Sequence, residues 1–139
     1  MNNYLQRLKQ EKLRLIVIKD NKTIFTSRVE GMRPLFEAID TLGLLALRGS
    51  IIIDKIIGKA AALLISYVKA QAAHCMILSE GARAIFDTQG VKYSSEQTIS
   101  QIKNKTGTDV CPYEKAVENI EDPGKGYETL LFKLYQRPE

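Results

Sequence analysis

The amino-acid sequence predicts an α/β domain, a three-layer α/β/α sandwich whose mixed sheet starts from a β-hairpin. Short apolar runs of strand length, at residues 13–18 and 73–78, alternate with segments whose apolar residues recur at helical spacing. Two strand-like runs near the N-terminus are separated only by a short polar turn, which is typical of an antiparallel hairpin. Strands that alternate with helices after a hairpin favour a mixed sheet covered by helices on both faces.

Length, composition and charge indicate one globular domain, which we expect to span residues 1–139. The net charge is +4, but the 20 Lys and Arg residues are spread along the chain, which argues against nucleic-acid binding. Residues 1–12 lack the apolar segment of a signal peptide, and no apolar run reaches the ~18 residues of a membrane span. We therefore expect a cytoplasmic protein with no membrane partner and two free cysteines, and a homo-oligomer is compatible with the sequence.

Local patterns predict each element in turn. In chain order they are a weak helix at 4–12, strands at 13–18 and 24–27, a helix at 34–43, a strand at 44–47 or 51–53, a helix at 54–69, a strand at 73–78, a helix at 79–86, a strand at 91–93, and helices at 94–104, from 112 and from 123. Asp20-Asn21 suits the turn of the hairpin, and Gly43 suits a helix stop. Ser94-Ser95-Glu96-Gln97 matches a capping box at a helix start.

The first candidate site is the start of the predicted helix at 54–69. Lys55 and Lys59 would stand one turn apart near a helix N-terminus, which already favours anions, so with Asp54 they could bind a phosphate or carboxylate group. The alternative is that Lys55 and Lys59 belong to the solvent face of an amphipathic helix, since Ala62, Ser66 and Lys69 fall on the same stripe.

The second candidate is Cys111-Pro112-Tyr113-Glu114. With Pro112 as the first helical residue, Cys111 would be the N-cap and Glu114 the third residue of a capping box that has a thiol in place of a hydroxyl. A helix N-terminus stabilises a thiolate, so Cys111 is a candidate nucleophile, although the charge of Glu114 opposes that effect. The structural alternative is a simple cap.

The third candidate is Ser79-Glu80, between the end of a strand and the start of a helix, where ligands often bind in open α/β sheets. Ser79 as an ordinary N-cap and Glu80 as an ordinary first-turn acid are the alternative. His74, the only histidine, is expected in the core or at a sheet edge. Neighbouring Cys75 should point to the opposite face, so the two cannot bind one metal ion, and we predict no metal and no cofactor.

Several of these segments together resemble a prokaryotic family of unknown function whose structural representative has a cytidine-deaminase-like fold. The resemblance covers about residues 13–135 and rests on Asp54-Lys55-Ile56-Ile57-Gly58-Lys59-Ala60-Ala61-Ala62, Ser79-Glu80, Gly107-Thr108 and Cys111-Pro112-Tyr113-Glu114-Lys115-Ala116-Val117. It implies a mixed sheet between helices, and a pocket where deaminases bind zinc. Those enzymes use His-x-Glu and Pro-Cys-x-x-Cys at two helix starts. This sequence has neither motif, so the resemblance implies no zinc hydroxide.

Two hypotheses of function follow. In the first, Asp54 to Lys59, Ser79-Glu80 and Cys111 surround a pocket that binds a small, anionic or nucleotide-like molecule, with or without cysteine chemistry by Cys111 and Glu114. In the second, the chain is a non-catalytic binding or scaffold domain, which would present an exposed apolar patch. Whether the protein is an enzyme is left open, but zinc-dependent deamination is not expected.

The purified protein is therefore expected to hold no stoichiometric zinc and to deaminate neither cytidine nor adenosine. The physical reason is the absence of both ligand motifs. Elemental analysis after dialysis against a chelator measures the metal, and chromatography of the nucleosides measures the reaction. About one zinc ion per chain surviving dialysis would contradict this expectation.

Overall fold

The computed structural model describes residues 2–104 and 106–136. Residues 1, 105 and 137–139 of the predicted domain lie outside this range. The helices and strands follow in the order α1 (Asn2–Gln10), β1 (Leu15–Lys19), β2 (Lys22–Ser27), α2 (Arg33–Leu47), β3 (Ile51–Ile57), α3 (Lys59–Tyr67), β4 (Ala72–Ser79), α4 (Glu80–Gln89), β5 (Lys92–Ile99), α5 (Pro112–Ala116) and α6 (Pro123–Tyr135). The chain therefore has the predicted alternation of strands and helices.

The five strands form one mixed sheet in the order β2-β1-β3-β4-β5. The first two strands form the predicted hairpin, and Asp20 and Asn21 both adopt positive φ at its turn. β1 is also antiparallel to β3, whereas β3, β4 and β5 are parallel to one another. The carboxyl ends of β3 and β4 therefore lie at one edge of the sheet, together with the amino end of β1.

Helices cover both faces of this sheet, as predicted. Because successive side chains of a strand point to opposite faces, Ile16 and Ile18 pack with Leu5 and Leu8 of α1, while Val17 faces the other way. The second face carries the larger core, to which α2, α3, α4 and α6 contribute. Three helix starts and stops also agree with the sequence: Ser79 caps α4, Gly90 follows its last residue with positive φ, and Asp122 caps α6.

The prediction of one helix over residues 54–69 is wrong in its first part. Residues Ile51–Ile57 form the central strand β3, and α3 begins only at Lys59. The β-branched isoleucines of this segment favour a strand, and a strand buried on both faces shows a continuous apolar run rather than an alternation. The same finding resolves the choice left open between residues 44–47 and 51–53, since residues 44–47 belong to α2, which is kinked at Gly43.

The strand predicted at 91–93 exists but is longer than expected, and the prediction of a helix at 94–104 is wrong. Residues Lys92–Ile99 form the strand β5, which is paired with β4 along its length. β5 is mostly exposed at the edge of the sheet, so it carries little of the apolar signal by which strands are recognised. The apparent capping box at Ser94 to Gln97 is overridden by the pairing with β4.

Within the described ranges, no helix is both long and apolar enough to cross a membrane.

Candidate functional site

A cavity of about 620 Å³ opens at the edge of the sheet where β3 ends. Its walls come from the start of β1, the loop before α2, the turn from β3 into α3, and the segment that leads into α5. Most of the lining is apolar, as in pockets that bind small organic molecules. The polar and charged residues among those that line it are Arg14, Glu30, Asp54, Lys55, Lys103, Asn104, Thr106, Cys111 and Glu114.

Four of the seven residues predicted from the sequence line this one cavity. Asp54 and Lys55 reach it from the middle of β3, and Cys111 and Glu114 reach it from the start of α5. The two pairs are more than 50 positions apart in the sequence, so the fold brings them together. Lys55 does so from a strand, not from the helix on which it was expected.

The other three predicted residues do not line the cavity. The amine of Lys59 lies 2.9 Å from a carboxylate oxygen of Glu121 and donates to the carbonyl oxygen of Glu118 at 3.0 Å. Ser79 is buried and acts as an N-cap, since its hydroxyl accepts from the N–H of Ala82 at 3.1 Å. Glu80 is exposed in the first turn of α4. The prediction that one pocket is lined by Lys59, Ser79 or Glu80, and Cys111 is therefore wrong.

The stripe proposed as the alternative for the lysines is wrong as well. Ala62 and Ser66 are buried, and the side chain of Lys59 is only 13% exposed. Lys59 lies against the start of α4, because a Cβ atom placed on Gly81 would be 3.3 Å from the Cβ of Lys59. Lys59 thus joins α3 to its neighbours rather than facing open solvent.

Asp54 lies at the floor of the cavity with only part of its side chain open to it. One carboxylate oxygen accepts from the main-chain N–H of Lys55 at 2.8 Å, and no Lys or Arg among the described residues lies within ion-pair distance. Burial raises the pKa of Asp54 to about 7, against the opposing effects of the main-chain N–H groups and of Arg14. A carboxyl group that can exchange its proton near neutral pH therefore faces the cavity.

Cys111 is the N-cap of α5 and Glu114 its third residue, as predicted, but the two side chains do not form a capping box. The two carboxylate oxygens of Glu114 accept from the main-chain N–H groups of Lys59 at 2.8 Å and Ala60 at 2.9 Å, so it caps α3 from another helix. The N-cap Cys111 has no side-chain capping bond. Burial raises the pKa of Glu114, and its bonds to Ala60 and Lys59 oppose that rise.

The two cysteines occupy contrasting places, and neither forms a disulfide. Cys111 is partly exposed and lines the cavity. Cys75 is buried in β4 beside Asp54 on β3, and burial, together with the charge of Asp54, raises the pKa of its thiol to about 12. Cys75 therefore stays a neutral thiol at physiological pH, as its position in a buried strand predicts.

His74 is a core residue, as expected. It is 7% exposed, its Nδ1 lies 2.6 Å from the hydroxyl of Ser94, and burial lowers its pKa, so the ring is neutral near pH 7. No group of three or more His, Cys, Asp and Glu side chains that could hold a metal ion is present among residues 2–104 and 106–136.

The sequence analysis missed Arg14, Lys103, Asn104 and Glu30 as lining residues. Arg14 precedes β1 and reaches the site only because β1 is antiparallel to β3, with Leu15 opposite Asp54. Lys103 and Asn104 were placed in a helix that does not exist. A correct register between β1 and β3 is the signal that would have found Arg14.

Replacing Asp54 by Asn is expected to stabilise the protein at pH 8 and to have little effect near pH 3. Because the folded-state pKa of about 7 lies above the ordinary aspartate value of 3.8, folding takes up a proton between these values, and stability falls as pH rises through that window. The gain at pH 8 should approach about 4 kcal/mol as an upper limit, at 1.36 kcal/mol per pKa unit.

Urea unfolding of wild type and Asp54→Asn at several pH values between 3 and 8 measures this gain. Asp40→Asn, an exposed site on α2, is the matched control and should show no such trend. A difference between wild type and Asp54→Asn that stays constant over this pH range would contradict the prediction.

The relatives of this chain agree with its architecture. A DUF1893 family protein from Thermotoga maritima, known from its crystal structure, is 29% identical, with a TM-score of 0.86 over 95% of this chain and 88% of that chain. Acinetobacter baumannii RibD is 10% identical over 60% of this chain and 28% of its own, with a TM-score of 0.47. No curated protein matches.

The resemblance read from the sequence can be judged against a family model. The model of TM1506, a domain of unknown function (DUF1893), matches residues 3–133. The predicted likeness to a family of unknown function is confirmed, and so is the mixed α/β fold, whereas kinship with the cytidine deaminases stays a prediction. This chain belongs to the DUF1893 family.

Proposed function

We propose that this protein binds a small molecule with an anionic group in the cavity at the end of β3. The observation that carries the proposal is the convergence of Asp54, Lys55, Cys111 and Glu114 on one cavity of about 620 Å³. Ligand pockets have volumes of roughly 300–1,000 Å³ and are mostly apolar with a few polar groups that orient the ligand. This cavity has that size and that kind of lining.

The charges that line the cavity favour an anionic ligand. Arg14, Lys55 and Lys103 contribute cationic groups, and no ion pair is formed by any of them among the residues that the structure describes. Glu114 is already bound to two main-chain N–H groups, which leaves Asp54 and Glu30 as the acids open to a ligand. A ligand phosphate or carboxylate would be attracted to the three cations.

The apolar part of the cavity supports a ligand that also has an apolar or aromatic body. Tyr113, Pro112 and Ile102 supply one wall and Leu35, Pro34 and Met32 another. A molecule that joins an anionic group to a ring system is nucleotide-like. A nucleotide-like ligand is also the class that the deaminase-like resemblance implies. The free thiols of the two cysteines are consistent with the cytoplasmic location that we retain as part of the proposal.

Cysteine chemistry is a finer part of the same proposal. Cys111 lines the cavity and is partly exposed, so a bound ligand could meet its thiol. Asp54 faces the same cavity and could accept or return a proton near neutral pH. Glu114 supports the site by holding α5 against α3 and is not proposed as an acid or base.

The ribonucleoside 5′-monophosphates and their parent nucleosides test the proposal as two matched sets of probes. A binder present at 100 times its Kd stabilises a protein by about 2.7 kcal/mol, or a rise in Tm of roughly 5–15 °C for a domain of this size. We expect at least one monophosphate to raise Tm and its nucleoside to raise it less. Lys55→Met should reduce the rise for the monophosphate, because one phosphate partner is lost.

Lys92→Met is the matched control, since Lys92 is exposed on β5 and does not line the cavity. The proposal would be contradicted if no nucleotide changed the Tm and if a panel of phosphorylated and carboxylate metabolites also left the Tm unchanged. The alternative, a non-catalytic scaffold domain, would then be preferred, and the exposed side chains Leu45, Phe132 and Tyr135 would be the first places to look for a contact surface.

A further inference from the structure

The helix α5 forms one wall of the cavity but has no buried residue of its own. It is five residues long, and a helix of this length is not stable without contacts to the rest of the protein. Something other than a buried apolar face must therefore hold it in place. The contacts of residues 111–117, which include α5, show what holds this helix in place.

Both ends of this segment are fixed. The N–H of Cys111 donates to the carbonyl oxygen of Ile102 at 2.9 Å, and Val117, directly after α5, is fully buried. Between these ends, Tyr113 is half-buried against the core, and Glu114 makes the polar contact to another element. Among the described residues, Lys115 forms an ion pair only with Asp109, which is exposed and lies in the loop before α5.

The Glu114 contact joins both oxygens of one carboxyl group to two donors that have no other acceptor among the described residues. The first N–H groups of a helix lack acceptors within the helix, and those of Lys59 and Ala60 both donate to the carboxylate of Glu114. Hydrogen bonds to a charged acceptor are stronger than those between neutral groups. This contact therefore ties α5, which has no buried residue of its own, directly to the start of α3.

Gly58 is what allows the carboxylate to come so close. A Cβ atom placed on Gly58 would lie 2.7 Å from the carboxylate carbon and from both of its oxygens, which is too close for any side chain. The backbone of Gly58, at φ −100° and ψ −175°, is open to other residues. Alanine at this position would therefore keep the backbone and push away the flexible end of Glu114.

We infer that the Glu114 carboxylate is a latch that holds α5 in place as a wall of the cavity, and that its release widens the cavity and exposes Cys111 further. The latch is a property of the fold and does not depend on which ligand is bound. It goes beyond the proposed function, because it assigns control of access to a contact outside the ligand-binding groups.

The variant Gly58→Ala tests the latch without removing the charge of Glu114. We expect the main-chain N–H groups of Lys59 and Ala60 to exchange hydrogen for deuterium roughly tenfold faster or more, since Glu114 is their only acceptor among the described residues. Alkylation of Cys111 by iodoacetamide should accelerate by a similar factor. Both rates are read by mass spectrometry, on the peptide that spans residues 57–62 and on the peptide that contains Cys111.

Cys75 serves as an internal control, because it is 1% exposed and reacts only when the protein unfolds. A latch predicts faster labelling of Cys111 with no change at Cys75. Glu114→Gln, which keeps the size of the side chain and one carbonyl acceptor, should give an intermediate exchange rate at Lys59 and Ala60. The exposed neighbour Glu118→Gln should leave it unchanged.

Two results would overturn the inference. Exchange at Lys59 and Ala60 that is unchanged in both Gly58→Ala and Glu114→Gln would show that the carboxylate does not protect them. Equal acceleration at Cys111 and Cys75 in both variants would show that the contact supports global stability and does not gate the cavity.

Discussion

The turn from β3 into α3 is the constraint on which the rest of the site depends. The strand ends at Ile57 and the helix begins at Lys59, which leaves Gly58 alone to make the turn. The first N–H groups of α3 are thereby placed inside the protein, where an unsatisfied donor is costly. Glu114 satisfies two of them, and this fixes α5 as a wall. The cavity is the space left between that wall and the end of the sheet.

Three acidic groups lie near the cavity, and burial opposes the ionisation of each. Asp54 lies in the middle of β3, Cys75 lies opposite it on β4, and Glu114 lies on α5. Burial raises the pKa of each of the three. A domain selected only for stability would place apolar residues at such positions, so a cavity lined by Asp54 favours function over packing as the reason for its presence.

Features that depend on neighbours in sequence were predictable. The hairpin turn at Asp20-Asn21 and the caps Ser79 and Asp122 follow from the conformational preferences of those residues, and the structure has them where expected. β3 was mistaken for helix because a central strand and a buried helix both show continuous apolar runs. Most of β5 was mistaken for helix because an exposed edge strand shows almost no apolar run. In both cases strand pairing, which sequence periodicity does not reveal, decides the structure.

For the candidate site, too, the sequence indicated individual residues but not which of them lie together. Cys111 and Asp54 were recognised as chemically notable, but their meeting in one cavity depends on contacts between segments distant in the chain. Lys59 was chosen with Lys55 because of their spacing on a helix. Since β3 ends between them, only Lys55 faces the cavity, and the amine of Lys59 is held by Glu118 and Glu121.

The structure gives Glu114 and Asp54 roles opposite to those that the sequence suggested. Glu114 was grouped with Cys111 as a chemical pair, and Asp54 with the lysines as a binding group. Both oxygens of Glu114 accept from main-chain donors of α3, so the carboxyl group positions α5. Asp54 has one oxygen bound to the neighbouring N–H, faces the cavity, and can change its protonation near neutral pH. In the proposed function Asp54 is therefore the carboxyl group suited to proton transfer, and in the inferred latch Glu114 sets how open the cavity is.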